Sequence, residues 1–390
     1  MKVIILLVDS LRADHMGCYG YSKNTSPHID DIARRNMLFE NAISQSNWTY
    51  PSIYAMISGR YPSVLQIKWF DQRINSSFKV LPEFMEEQGF HTAIFSSFKI
   101  LLNPSGFSGH FKERQEVRLN DSTPAIFLNW LKQHKDSFLF FHIGDYVHGP
   151  HCVDKKYVNQ FIEKDNRIED DKLSDALRAL TTIDHDIRVR DVVRKINMKR
   201  TVLTDRELRY LLACYDGGVF YTDMIIGEMH KILKENCDEY LFIVTADHGE
   251  AFMEHNIYGH GYHLYDELIR VPLVIDYSGK YQQRISETVQ HMDFFPTIAD
   301  VLGFKVNFAM NGTSFAEGFE RGHIQPRYAI SEGYPFISIR NHEYKLLYTY
   351  SKFWSVNKLL SRFGKESGKR TKTWKRNLHS ILLRYTPDRF

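Results

Sequence analysis

The chain has 390 residues, 43% apolar and 25% charged, with a formal net charge of +3. That balance excludes a disordered or fibrous chain, and the length suits two or three domains, or one large domain with an appendage. The four cysteines, Cys18, Cys152, Cys214 and Cys237, are far apart and form no CxxC pair, which points away from a disulfide framework or zinc knuckle and fits a reducing compartment.

In chain order, the first element is an apolar run, "KVIILLVD" (2–9), ended by Asp9. It is too short for a signal peptide and reads as a buried first strand. No stretch approaches the roughly 20 apolar residues of a membrane span. The expected location is therefore cytoplasmic. A helical pattern follows at 28–36. The segment "SNWTYPSIYAMISG" then places Pro51 in the first turn of a helix and Gly59 at its end. Thr49 falls at or just before that start, where a threonine caps the helix or presents its hydroxyl beside backbone N–H groups that favour an anion.

Further apolar runs lie at 92–97, 138–145 and 240–247, with helical patterns at 81–89, 124–134 and 213–236. Continuous apolar runs suit strands buried on both faces, and their alternation with helices predicts a parallel sheet between two helical layers. Residues 155–212 interrupt the order as a charged helical insertion, either a lid or a solvated excursion. Residues 293–303 read as a helix, followed by segments that pair as antiparallel strands. The predicted fold class is thus α/β: a three-layer α/β/α sandwich with a mostly parallel central sheet, plus a small C-terminal α+β subdomain. The expected domains are a catalytic domain at 1–270, the subdomain at 271–350 and a basic tail at 351–390. In that tail eleven Lys and Arg face Glu366 and Asp388 and are interleaved with aromatic and leucine residues. Such a segment lies on an anionic membrane surface or packs its apolar face on protein. No nucleic-acid-binding signature accompanies the charge, so no nucleic acid is expected.

Three of the predicted strands end in polar residues: Asp9, Asp145 with His148 and His151 beyond it, and Asp247-His248-Gly249-Glu250. Ligands of open α/β sheets bind beyond the carboxyl ends of strands, so these side chains converge on one edge. A hydroxyl beside a metal held there by carboxylates and imidazole could be deprotonated and attack phosphorus or sulfur.

These blocks resemble the sulfatase-type branch of the alkaline phosphatase superfamily. "LLVDSLRADHMGCYGY" and "TYPSIYAMISGRYP" are similar to its opening and nucleophile blocks. "GFHTAIFSS", "HIGDYVHGPH", "TADHGEAFMEHNIYGHGYHLYDELIRVPLVI" and "HMDFFPTIADVLG" follow in the family's order. The resemblance implies a divalent metal bound by Asp9, Thr49, Asp247 and His248, with Thr49 also the nucleophile. It implies a leaving-group or substrate role for His148 and contact with the transferred group for His260. Arg12 is a further substrate-contact candidate. The four ligands suit Zn²⁺ or Mn²⁺, with Ca²⁺ or Mg²⁺ as alternatives, and one ion is expected. A second ion would draw on Asp145, His148 and His260 or His263, which otherwise meet substrate.

The chain also departs from that family. Sulfatases carry a Cys or Ser that becomes formylglycine, with Arg four residues later. Here the pair is Thr49 and Ile53, and the methyl on the threonine β-carbon prevents conversion to that aldehyde. Ser10 replaces the second aspartate of the opening pair, and Lys99 is out of register with the family's active-site lysine. The expected function is therefore transfer of a phosphoester or phosphodiester group through a phosphothreonine, to water or to an alcohol, with an anionic glycan or glycolipid ester as substrate. The alternatives are a sulfatase without formylglycine and an inactive module that holds an anionic glycan.

Overall fold

The structure is a computed structural model. It describes residues 1–67, 74–75, 77–182 and 186–349, together with the backbone of 381–384. Most of the basic tail, and any surface it offers a membrane, lies outside these residues. Among the described residues, no helix is long and apolar enough to cross a membrane.

The strands of the larger sheet are β1 (Lys2–Val8), β2 (Met37–Ile43), β3 (His91–Ser96), β4 (Glu113–Glu116), β5 (Ser137–Ile143) and β6 (Tyr240–Thr245). A short hairpin follows, β7 (Ala251–Phe252) and β8 (Tyr258–Gly259). The chain then rejoins the larger sheet as β9 (Arg270–Val271), β10 (Leu273–Tyr277) and β11 (Gln283–Gln290). The order across the sheet is β11-β2-β10-β6-β1-β5-β3-β4, with β9 paired to β2. β1 runs parallel to β5 and β6, and β3 parallel to β4 and β5. β10 is the antiparallel exception inside the sheet.

β1, β5 and β6 are buried along their whole length. That is the signature of strands covered on both faces, and it accounts for their unbroken apolar runs. Two groups of helices provide the cover. Helices α1 (Pro27–Arg35) and Thr123–Gln133 pack along the long helix Asp205–Asn236. Helix α2 (Thr49–Ser58) packs with Leu81–Glu87 and Phe294–Val301. The long helix starts eight residues before the position expected from its apolar pattern. Thr204 accepts from the Glu207 amide while Glu207 accepts from the Thr204 amide, a capping box that fixes the earlier start.

The boundary expected at residue 270 falls inside the larger sheet, because β10 and β11 belong to it. The separate smaller sheet begins at β12 (Ala329–Gly333) and continues through β13 (Phe336–Arg340), β14 (Tyr344–Thr349) and β15 (Ile381–Arg384), all antiparallel. In the 155–212 insertion, Asp175–Thr181 packs on Asp186–Asn197, which in turn touches β8. Asn197 binds the backbone of Tyr258 in both directions, at 2.8 and 3.0 Å.

Candidate active site

Register brings the first two acids together. Leu7 pairs with Thr245 across the β1–β6 ladder, so Asp9 and Asp247, each two residues on, leave the sheet at the same level. Ser10 turns the chain sharply at φ 64°, in the left-handed region that non-glycine residues rarely occupy. The turn aims the Ser10 amide at Asp247 Oδ1 (3.3 Å) and its hydroxyl at Asp9 Oδ1 (3.1 Å). Gly249 lies so close to the next segment that a Cβ there would be 1.9 Å from the Glu267 carbonyl oxygen, which explains a glycine after His248.

Thr49 arrives from the other side. Trp48, extended at φ −160°, takes the cap position of α2, and Thr49 is the first helical residue. No side chain caps this helix, so the threonine is not spent on capping. Its Oγ1 is 3.3 Å from His248 Nε2 and donates to Asp9 Oδ2 at 3.5 Å. One turn further on, Ser52 Oγ donates to the Asp247 carbonyl at 2.6 Å and tethers α2 to the end of β6.

Asp9, Asp247 and His248 are fully buried, and their ligand atoms lie within 4.8 Å of one another. His248 Nε2 is 3.5 Å from Asp9 and 3.4 Å from Asp247. His248 Nδ1–H donates to the Gly249 carbonyl at 2.8 Å, which leaves the Nε2 lone pair facing the carboxylates. Asp247 Oδ2 is buried without a hydrogen-bond partner. Among the described residues no Lys or Arg pairs with either acid. Two buried carboxylates without a cation repel, and the electrostatics register it. Burial, followed by the charge of Asp9, raises Asp247. Burial also works to raise Asp9, yet His148, His142 and His248 hold it well below the usual carboxylate range. Two carboxylates, an imidazole with its lone pair inward and a hydroxyl are a donor set that fits one divalent cation.

His142 completes the cluster and escaped the sequence reading. Its Nε2–H donates to Asp9 Oδ2 at 3.1 Å, and its Nδ1 accepts from Ser96 Oγ at 3.3 Å. The available signal was a histidine inside the otherwise apolar strand "FLFFHI", since a buried imidazole needs partners.

The half-exposed rings of His148 and His260 lie 5.1 Å apart, and His260 is 4.4 Å from His248. Glu250 holds His260 Nδ1 at 3.1 Å. Burial opposes charge on His260, but Glu250, with Asp9 and Asp247 beyond it, pushes that imidazole up to about 9. Burial and the neighbouring His260 outweigh Asp9 and lower His148.

Other expected residues go elsewhere. Asp145 accepts from the Leu119 amide at 2.9 Å and lies 3.6 Å from Arg118. His263 Nδ1 accepts from the Tyr265 amide, and its Nε2 is 3.8 Å from Glu267. Neither belongs to the Asp9 group, so a second ion beside the first does not assemble from the residues expected to hold it. Arg12 forks onto Asp14 at 2.6 and 2.8 Å and also pairs with Glu254, so it braces the loop after β1. Lys99, 78% exposed in its side chain, pairs with Glu116 on the surface.

The sulfatase family model matches residues 2–304. Human iduronate 2-sulfatase is 24% identical over 337 residues, covering 72% of this chain and 60% of that protein, so the chain spans well under the full length of this relative. A multifunctional alkaline phosphatase superfamily protein of Trinickia caryophylli is 30% identical over 203 residues, covering 48% of this chain and 38% of that one. Among solved structures, the phosphonate monoester hydrolase of Agrobacterium radiobacter superposes with a TM-score of 0.71 at 17% identity, covering 89% of this chain and 87% of that chain.

Proposed function

Because this chain belongs to the sulfatase family, we propose that it is a metal-dependent enzyme that transfers a phosphoryl group through Thr49. The observation that carries this reading is the position of the Thr49 hydroxyl. It stands at the first turn of α2, within 3.5 Å of both Asp9 and His248, and its side chain has no route to formylglycine.

Asp9, Asp247, His248 and Thr49 would hold a divalent ion, which would lower the pKa of the Thr49 hydroxyl and offset charge developing on the transferred oxygens. Thr49 Oγ1 loses its proton to solvent and forms the bond to phosphorus. The bond from phosphorus to the leaving oxygen breaks on the opposite side. The amino end of α2 favours an anion at that point. Glu250 fixes the Nδ1–H of His260 and supports its positive charge, so we give protonation of the leaving oxygen to His260 Nε2 and substrate contact to His148. Water or an alcohol then attacks phosphorus as the bond to Thr49 Oγ1 breaks; the attacking oxygen's proton passes to His260 Nε2, and Thr49 Oγ1 regains a proton from solvent.

Thr49→Ala should lower turnover of phosphate diesters at least ~10³-fold, while mass spectrometry of quenched wild-type protein finds phosphate on Thr49. His260→Ala should cost ~10²–10⁴-fold with alkyl leaving groups and much less with nitrophenol, which leaves without an acid. Full activity in Thr49→Ala would end the proposal. A second reading, sulfate-ester hydrolysis without formylglycine, is favoured by the name of the human relative. It requires sulfate esters to be turned over faster than the matching phosphate esters. In either case an anionic sugar ester is the substrate class we favour.

A further inference from the structure

A second group of ligand-bearing side chains sits at the opposite edge of the larger sheet. His91 opens β3, Glu113 opens β4, and His134 follows the helix Thr123–Gln133 as its C-cap residue. β3 and β4 are parallel neighbours, so His91 and Glu113 lie at their amino ends. The Asp9 cluster lies beyond the carboxyl ends, about 20 Å away along a six-residue strand.

His91 Nε2 is 2.9 Å and His134 Nε2 3.4 Å from the same oxygen, Glu113 Oε2. Trp130 Nε1–H donates to that oxygen at 3.2 Å. The three ligand atoms lie within 4.8 Å of one another. His134 Nε2 is buried with no hydrogen-bond partner, although it faces the carboxylate. Among the described residues no Lys or Arg pairs with Glu113. The helix also ends here, and its terminal carbonyls favour a cation. Lys2 Nζ already uses one of them, the Leu131 carbonyl at 2.9 Å.

We propose that His91, Glu113 and His134 bind a divalent transition-metal ion, Zn²⁺ or a close analogue, separate from the catalytic centre. Two imidazole nitrogens and a carboxylate oxygen are the donor set, and water fills the open position. The imidazole rings are stacked, with centroids 3.7 Å apart and planes 3° from parallel. Coordination by both lone pairs turns one ring about its Cβ–Cγ bond, and side chains 20–29% exposed have room for that. The ion would tie the end of the helix to β3 and β4.

The test is a Zn²⁺ titration of the full-length protein with its catalytic metal already loaded, followed by elemental analysis after gel filtration. Wild type should retain one more equivalent than Glu113→Gln or His134→Asn. All three should keep the catalytic equivalent and the same turnover. Cu²⁺ should quench the fluorescence of Trp130, and that quenching should vanish in Trp130→Phe and fall at least tenfold in apparent affinity in the ligand variants. Circular dichroism confirms that each variant is folded, and His91→Gln serves if one is not. Equal stoichiometry in wild type and folded variants, or quenching that ignores the ligand changes, overturns the proposal.

Discussion

At the scale of single residues, the site depends on side chains whose partners lie far away in sequence. Asp9, Asp247 and His248 stood out because polar residues ended apolar strands. Thr49 stood out because a proline and a glycine bracketed its helix. His142 did not, because a lone histidine in an apolar strand signals a buried imidazole with partners but does not say which residues those are. It orients Asp9 through a 3.1 Å bond while Ser96 fixes its tautomer. His142→Ala should therefore weaken catalytic-metal affinity and activity by ~10–100-fold, the usual effect of removing a group that orients a ligand. Competition against a chelator measures the first effect and steady-state kinetics the second. Arg12 pairs with Asp14 two residues on and with Glu254, and the second partner came together with it only when the chain folded.

At the scale of elements, the long helix does more than cover the sheet. Tyr215 OH donates to the Ser10 carbonyl at 2.9 Å and accepts from the Arg12 amide at 2.8 Å, clamping the strained turn after β1. The next residue, Asp216, is fully buried and binds His15 at 2.7 Å, Lys23 at 2.8 Å and the Tyr21 hydroxyl at 2.9 Å. Burial works to raise this carboxyl, but His15 and Lys23 outweigh it and hold it below its ordinary value. A depressed carboxyl stabilises the fold above its unfolded value of about 4, and that contribution is lost as pH falls through the lower folded value. Asp216→Asn should cost about 2 kcal/mol at pH 7, because it weakens hydrogen bonds to a buried carboxylate. The gap between variant and wild type should narrow below pH 4, as read by urea denaturation across pH. The helix itself was legible from its apolar period. The clamp was not, since "CYDGG" reads as any polar interruption of an amphipathic face.

At the scale of the whole molecule, the central sheet was legible because strands buried on both faces leave continuous apolar runs. The place where the larger sheet ends was not. β10 enters antiparallel beside β6, and a strand's direction leaves no mark on its composition. The smaller sheet also braces residues 44–47, just ahead of Thr49. Glu332 donates its amide to the Gln45 carbonyl at 2.8 Å, and Ser331 Oγ donates to the Ser44 carbonyl at 2.6 Å. Ser46 Oγ donates to the Glu332 carbonyl at 3.1 Å, and a Cβ on Gly333 would lie 2.9 Å from the Asn47 side chain. Truncation after residue 304 should leave a collapsed fragment with turnover reduced by ~10²-fold or more, because misplacing a reacting group by about 1 Å already costs that much. Kinetics on the truncated chain, with residues 305–390 added back as a separate peptide, would measure both the loss and its recovery.

That buttress has a consequence for how such chains can be rearranged. The family model matches residues 2–304, yet the strand that steadies the residues before Thr49 begins at Ala329. A chimera cut at residue 304 would keep Asp9, Thr49, Asp247 and His248 and lose the strand that anchors the residues before Thr49. The workable seam for exchanging parts lies past β14, where the segment before Thr49 has already gained its hold.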